Sequence, residues 1–146
     1  MSDQRRSELD RVLEGAEGAE YDEDVFQYLL SVEQSRASHA SRPLRLLFAT
    51  LEPVPGKPVP IPPRSASKLF DGLRTSLRET DVMGWYRQGR VAGAVLTAKE
   101  DPVADGMPNA IERRVGDRVR HQLPAKVARS LRVRVIQLGP RHVVSA

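Results

Sequence analysis

A short and almost continuous apolar run, residues 44–51, constrains the fold more than any other segment of this chain. It follows Pro43 and stops before Pro53, so it is too short for a full helix. Apolar residues in nearly every position are typical of a strand that is covered on both faces. The run therefore predicts a buried central strand, the first strand of a sheet.

Prolines dominate the segment that follows, residues 53–64. Proline lacks a backbone donor and favours polyproline II, so we expect a proline-rich loop here. Pro55 and Pro58 have the PxxP spacing that docks into aromatic grooves of other proteins, with a plain semi-rigid spacer as the alternative.

Apolar residues spaced by three and four predict two helices, residues 24–40 and 66–77. The candidate cap residues are Asp22 or Asp24 for the first helix and Ser65 or Ser67 for the second. We expect the second helix to pack on the sheet.

A β-hairpin is predicted from residues 81–86 and 91–97, because Gly89 supplies the positive φ of a tight turn between them. Asn109 and Glu112 have the spacing of a capping box, which predicts a third helix that ends at Pro124. Apolar residues then alternate with arginines from residue 131 to 135, the pattern of a strand with one buried face.

The order of these elements predicts an α+β fold. After a leading N-terminal helix comes β-α-β-β-α-β, the ferredoxin-like arrangement of an antiparallel sheet with its helices on one face. The length of 146 residues suits a single domain, which we place at residues 23–146. Residues 1–22 are expected to form a flexible acidic extension.

Several site classes are disfavoured by composition. The chain contains no cysteine, and its histidines, His39, His121 and His142, are widely separated, so we expect neither a metal site nor a cofactor. No apolar run approaches the length of a membrane span, and Arg5 and Arg6 are not followed by the apolar core of a signal peptide. A cytoplasmic location is the expectation.

Charge is unevenly distributed along the chain, whose formal net charge is +4. Residues 3–24 are acidic, whereas residues 113–141 are dense in arginine. This basic half favours an anionic partner such as a nucleic acid, or else forms a solvated helix face and strand edge.

Two segments resemble the GGDEF domain, the nucleotidyl-cyclase fold of diguanylate cyclases. Residues 26–37, followed by Arg42-Pro43-Leu44 and the apolar strand, are similar to the opening of that domain. Arg78 and Asp81 match its arginine-x-x-aspartate motif, and five residues separate Asp81 from the position of the signature turn. The resemblance covers about residues 24–138.

The signature turn departs from the family. It reads Arg87-Gln88-Gly89-Arg90-Val91, with glycine and arginine at the third and fourth positions, which are acidic in the family. The family's aspartate-x-aspartate segment matches Thr50 and Glu52, and the proline-rich loop replaces the family's nucleotide-holding elements. These departures imply a degenerate domain that is not an enzyme, because phosphoryl transfer depends on metal and positioning.

Other candidate residues surround the turn. The resemblance implies that Arg78 and Asp81 bind cyclic di-GMP, with an Arg–Asp pair that ties helix to strand as the alternative. Trp85 and Tyr86 are expected to pack in the fold. If they are instead exposed beside the turn arginines, they would form a basic and aromatic binding patch.

The leading functional hypothesis is a non-catalytic regulatory domain that acts by protein contact or by cyclic di-GMP binding, within signalling. A second copy of the same chain, in a homodimer, is an alternative partner. The competing hypothesis is a ferredoxin-like nucleic-acid-binding module that uses the basic C-terminal half. Against it, the first and last strands lack the interleaved aromatic residues on which bases stack.

Overall fold

The computed structural model describes residues 20–77, 81–96 and 108–139. Five strands and four helices lie in these ranges. In chain order they are α1 (Glu23–His39), β1 (Leu44–Val54), β2 (Lys57–Val59), α2 (Pro63–Ser76), β3 (Val82–Arg87), β4 (Val91–Leu96), α3 (Pro108–Gln122), α4 (Ala125–Ala128) and β5 (Leu131–Leu138).

Strand β1 is the centre of an antiparallel sheet. Its residues 45–49 pair with β4 and its residues 44–51 pair with β5, so these two partners lie on opposite edges of β1. Strand β3 pairs with β4 on the far side. The resulting order β5-β1-β4-β3 confirms the predicted ferredoxin-like α+β fold.

Helices cover both faces of this sheet. Alternate residues of β1, Leu47, Ala49 and Leu51, belong to the larger core beneath α2 and α3. Leu44 and Leu46, on the opposite face of the strand, belong to a smaller core beneath α1. The two helices of the ferredoxin-like unit thus share one face, and the leading helix occupies the other.

Helix α1 begins close to its predicted position. The Asp22 side chain accepts a hydrogen bond from the Val25 amide at 3.0 Å, so Asp22 is the cap. Just before it, Tyr21 bridges to Gly84 at the outer edge of β3. A Cβ at Gly84 would lie 2.6 Å from the Tyr21 carbonyl oxygen, so only glycine permits this approach.

The proline-rich loop is the main correction to the predicted fold. Strand β1 continues to Val54 and turns back into β2, a short hairpin with Leu51 opposite Val59. Gly56 makes the turn with a φ of +82°. A proline is tolerated in such a short edge strand, because a missing donor matters little where the ladder is brief. The turn between Pro55 and Pro58 is incompatible with one continuous PxxP ligand.

Two predicted helix starts are also wrong. Helix α2 begins at Pro63, whose ring fixes a helical φ, and Ser65 lies buried inside the helix instead of capping it. The helix α3 already includes Pro108 and Asn109, so Asn109 does not cap it, and Glu112 accepts a hydrogen bond from the Val135 amide of β5 at 2.7 Å. The short helix α4 after Pro124 was not predicted.

The hairpin and its aromatic residues follow the predictions. Gly89 has a φ of +72° in the turn between β3 and β4. Trp85 is buried against Phe70, with ring centroids 5.0 Å apart, and Tyr86 packs edge-on against Phe48 at 4.8 Å. Packing therefore accounts for both residues, as expected for aromatics on strands.

Parts of the predicted architecture lie outside the described residues. These are the extension up to residue 19, Arg78, the end of the second predicted hairpin strand and the C-terminal tail. Within the described residues, no helix has the length and apolarity that crossing a membrane would demand.

Two helix glycines provide a test of the packing between α2 and α3. A Cβ at Gly72 would lie 2.9 Å from the Cα of Val119, whereas a Cβ at Gly116 would meet only the flexible end of Arg120 at 3.0 Å. Gly72→Ala must separate two packed backbones, so we expect the free energy of unfolding to fall by about 1–2 kcal/mol.

Gly116→Ala is the matched control, because the same substitution there gains helix propensity and displaces only a side-chain tip. We expect it to be neutral or to stabilise by up to about 1 kcal/mol. Urea denaturation at pH 7 measures both. Equal stability of the two variants would contradict the close helix approach.

Candidate functional site

The end of the sheet where β1 and β3 finish and β4 and β5 begin gathers most of the predicted site. Ala49 lies opposite Ala92, and Leu51 lies opposite Leu131, which fixes this end. Thr50, Glu52 and the turn at residues 87–90 are therefore at one end of the fold. Asp81 precedes β3 and lies at the other end, away from the turn.

Glu52 is a buried carboxylate with both oxygens engaged. Arg134 donates from Nη1 to Oε2 at 2.6 Å and from Nη2 to Oε1 at 3.1 Å, a bidentate pair between β5 and β1. The Thr50 hydroxyl donates to Oε2 at 2.5 Å, and the Gly56 amide donates to Oε1 at 2.9 Å. The carboxylate thus joins three segments: β1, the β1–β2 turn and β5.

These contacts set the protonation of the pair. The Arg134 hydrogen bond, followed by that of Thr50, lowers the pKa of Glu52 to about 2. Burial acts in the opposite direction, and the Gly56 amide adds to the lowering. Glu52 in turn raises the pKa of Arg134 above its ordinary value through the same hydrogen bond. The pair is therefore ionised throughout the neutral range.

The signature turn is held by contacts on two sides. Glu23 and Gln88 exchange hydrogen bonds, from the Glu23 amide at 3.0 Å and from the Gln88 amide at 2.6 Å. On the other side, the Ile61 amide donates to the Gly89 carbonyl oxygen at 2.7 Å. The segment after β2 therefore lies directly against the turn.

Side chains of the turn point in different directions. The Arg87 guanidinium lies 4.7 Å from the centre of the Tyr86 ring, a cation–π contact. Arg90 is exposed, and Val91 is half-buried at the start of β4. Because Tyr86 also packs on Phe48, the turn does not form the exposed basic and aromatic patch that the alternative required.

Sequence reasoning missed the partners of this site. Arg134 was assigned only to the wet face of the last strand, and Ile61 to a loop. The alternation of residues 131–135 puts Arg134 and Val135 on opposite faces of the strand. The contact between Arg134 and Glu52, however, depends on the order of the strands in the sheet. Strand pairing places Arg134 across from Phe48, within reach of Glu52.

The predicted nucleotide pair is only partly described. Asp81 is half-buried just before β3, and it takes part in an interaction within the fold. Arg78 lies outside the described residues. Across residues 20–77, 81–96 and 108–139, no three histidine, aspartate or glutamate side chains converge as metal ligands would.

Comparisons with known proteins support the fold. The sequence matches no family model and no curated protein. Among solved structures, it is similar to a DGC protein from Thermotoga maritima, with a TM-score of 0.55 and 18% sequence identity. The similarity covers 81% of this chain and 79% of that chain. At this identity the likeness establishes a shared fold, and the site must be argued from its own residues.

The contribution of Arg134 to the stability of the fold can be tested by substitution. Arg134→Gln leaves the Glu52 carboxylate without its main partner. Since the Arg134 side chain is 54% exposed, water partly screens the pair. We expect a loss of about 1–2 kcal/mol in the free energy of unfolding. Urea denaturation at pH 7 measures this loss.

Arg132→Gln is the matched control, because Arg132 is exposed on the same face of β5 and contacts no acid among the described residues. We expect a change within about 0.5 kcal/mol. If both variants lost the same stability, the Glu52 contact would not be the cause.

The lowered pKa of Glu52 predicts a pH dependence. Its carboxylate stabilises the fold above the ordinary pKa of 4.5, and this stabilisation is lost as pH falls toward the folded pKa of about 2. The free energy of unfolding of the wild type should exceed that of Glu52→Gln by about 1–2 kcal/mol at pH 7, and this difference should shrink as the pH falls from 4.5 to 2.

Asp117→Asn controls for the general effects of low pH, since Asp117 is exposed and its ion pair with Arg120 is long, at 3.5 Å. Its difference from wild type should stay within about 0.5 kcal/mol over the same range. Urea denaturation at several pH values decides. If the difference in the free energy of unfolding between wild type and Glu52→Gln stayed constant with pH, the fold would not specifically stabilise the ionised carboxylate of Glu52.

Proposed function

We propose that the chain is a GGDEF-like domain that has no cyclase activity and works as a binding domain in signalling. The observation that carries this proposal is the state of Glu52. It is the one acidic residue left at the positions that resemble the family's metal ligands, and both of its oxygens are hydrogen-bonded to protein groups. A guanidinium, where a divalent cation would be needed, neutralises its charge.

The chemistry of phosphoryl transfer supports this proposal. Such enzymes depend on metal ions that neutralise the phosphates and on groups that hold the nucleotide in line. A metal would have to displace Arg134, Thr50 and the Gly56 amide from a buried carboxylate. Thr50 offers only a hydroxyl, and that hydroxyl already donates to Glu52.

The turn argues in the same direction. Gly89 and Arg90 stand where the family has acids, so this turn brings a cation in place of ligands. The Ile61 amide is bonded to the Gly89 carbonyl oxygen, and the chain after β2 therefore lies against the turn where a nucleotide would approach. The remaining mode of action is binding.

Two binding modes follow from the resemblance, protein contact and recognition of cyclic di-GMP through Arg78 and Asp81. Arginine can fork onto phosphate or guanine acceptors, and a carboxylate accepts from guanine N–H groups. Nucleic-acid binding gains less support. The exposed residues on the outer face of β5 are arginines and aliphatic residues, without an aromatic ring for base stacking.

The decisive experiment combines an activity assay with calorimetry on the purified protein. With GTP and Mg²⁺ we expect no cyclic di-GMP above a no-enzyme blank. Turnover above the blank would overturn the proposal, and its loss in Glu52→Gln would indicate that Glu52 is a metal ligand.

Calorimetric titration with cyclic di-GMP then separates the two binding modes. Heat that is lost in Arg78→Ala but retained in Arg113→Ala, an exposed arginine of α3, would identify a cyclic di-GMP receptor. No heat with wild type would leave protein contact as the mode of action.

A further inference from the structure

The sheet face that carries α1 is only partly covered. Helix α1 lies over β3 and β4, where its Phe26 ring fits against Gly93. Strand β5 turns four residues toward the same face, because they lie opposite the even-numbered residues of β1. These residues are Arg132, Arg134, Ile136 and Leu138. All four are exposed.

Two of these residues are exposed aliphatic side chains. Ile136 is 42% exposed and Leu138 is 38% exposed, whereas Leu131 and Val135 on the opposite face of β5 are buried. Their neighbours across the strand pair, Leu46 and Leu44, belong to the core beneath α1. The exposed pair therefore continues an apolar surface that begins inside the protein.

A groove lies between this strand and the last turns of α1. Its volume is about 460 Å³. The floor is apolar, formed by Ala37, Leu44 and Leu138, and the walls carry polar and basic side chains that include Gln34 and Arg42. The β5 side of the groove is formed by Gln137 and Leu138, and the exposed Ile136 directly precedes them in the strand.

Among the described residues, basic side chains border this face. Arg42 lines the end of the groove near α1, and Arg132 and Arg134 follow along β5. Glu52, the acid that Arg134 contacts, is buried and its oxygens are engaged. A partner that covers this face must therefore bring negative charge to the rim and apolar groups to the centre.

The dimensions favour a helix as the occupant. Residues 132–138 of β5 span roughly 20 Å at about 3.3 Å per strand residue. A helix of about 13 residues has that length, and its apolar stripe could lie along Ile136 and Leu138. A second copy of this chain is the alternative occupant, and the sedimentation measurement described below distinguishes it from a partner helix.

We propose that the groove between α1 and β5 binds an acidic amphipathic helix of a partner protein. The proposal rests on the proposed function, since it names the surface through which a non-catalytic domain makes its protein contact. Apolar side chains of the partner helix pack on Ile136 and Leu138. Its carboxylates meet Arg132 and Arg42, while Arg134 keeps its bond to Glu52.

A displayed peptide library tests the proposal directly. Each peptide has about 13 residues, leucine at helical spacing on one stripe, and glutamate, lysine, glutamine or alanine elsewhere. Selection on the wild-type protein should enrich peptides of net negative charge. Selection of basic peptides, or no enrichment over blank surface, would overturn the proposal.

Variants then locate the site for one enriched peptide. Leu138→Asp and Arg132→Glu should each weaken its binding about tenfold or more by fluorescence anisotropy. Arg113→Glu, the same charge reversal on an exposed arginine of α3, should leave the affinity within about twofold. Amide chemical shifts should move along β5 and the last turns of α1.

The controls keep each outcome interpretable. All three substitutions are at exposed positions, and urea denaturation verifies that each variant retains its fold. Affinity unaffected by Leu138→Asp, or sedimentation that shows a dimer dissociated by this variant, would overturn the helix assignment. Neither result would restore cyclase chemistry, so failure of this inference is distinguishable from failure of the proposed function.

Discussion

Strand β1 has hydrogen-bonded neighbours on both edges and helices on both faces, and every other element is arranged by that requirement. The odd-numbered residues from Leu47 to Leu51 lie under α2 and α3, while Leu44 and Leu46 lie under α1. Toward its end the strand remains buried but passes beyond the core of α1. Thr50 and Glu52 are there, and a buried carboxylate must find charge-matched partners. Arg134, on the adjoining strand, meets that need.

The Glu52 contacts also join the β1–β2 turn and β5 to the end of β1. The Gly56 amide fixes the β1–β2 turn to the carboxylate, and Arg134 fixes β5. A short hairpin is marginal in isolation, so this anchoring and its pairing with Leu51 hold β2 in place. The segment after β2 can then place Ile61 against the turn at Gly89. Contacts that stabilise the fold thus use the groups that resemble a catalytic site.

Hydrophobic periodicity was enough to predict β1, the β3–β4 hairpin, β5 and the three long helices, because each has an apolar pattern of the correct period. The loop predicted for the proline-rich segment was partly wrong, since pairing with β1 overrides the poor strand propensity of proline. Helix caps were missed where a proline starts the helix or a carboxylate bonds to β5. The Glu52–Arg134 pair joins residues 82 positions apart, and its existence depends on sheet order, which no local pattern contains.

The sheet is covered unequally, and this affects where a partner can bind. At the turn end, backbone and side-chain groups of Gln88, Gly89 and Glu52 are bonded within the protein, so a ligand there must compete with formed contacts. Along β5, Ile136 and Leu138 are exposed, so a partner would displace only water. Burial of apolar surface is favourable where no internal bond must be broken. The proposed protein contact is therefore more favourable on the β5 face than at the turn.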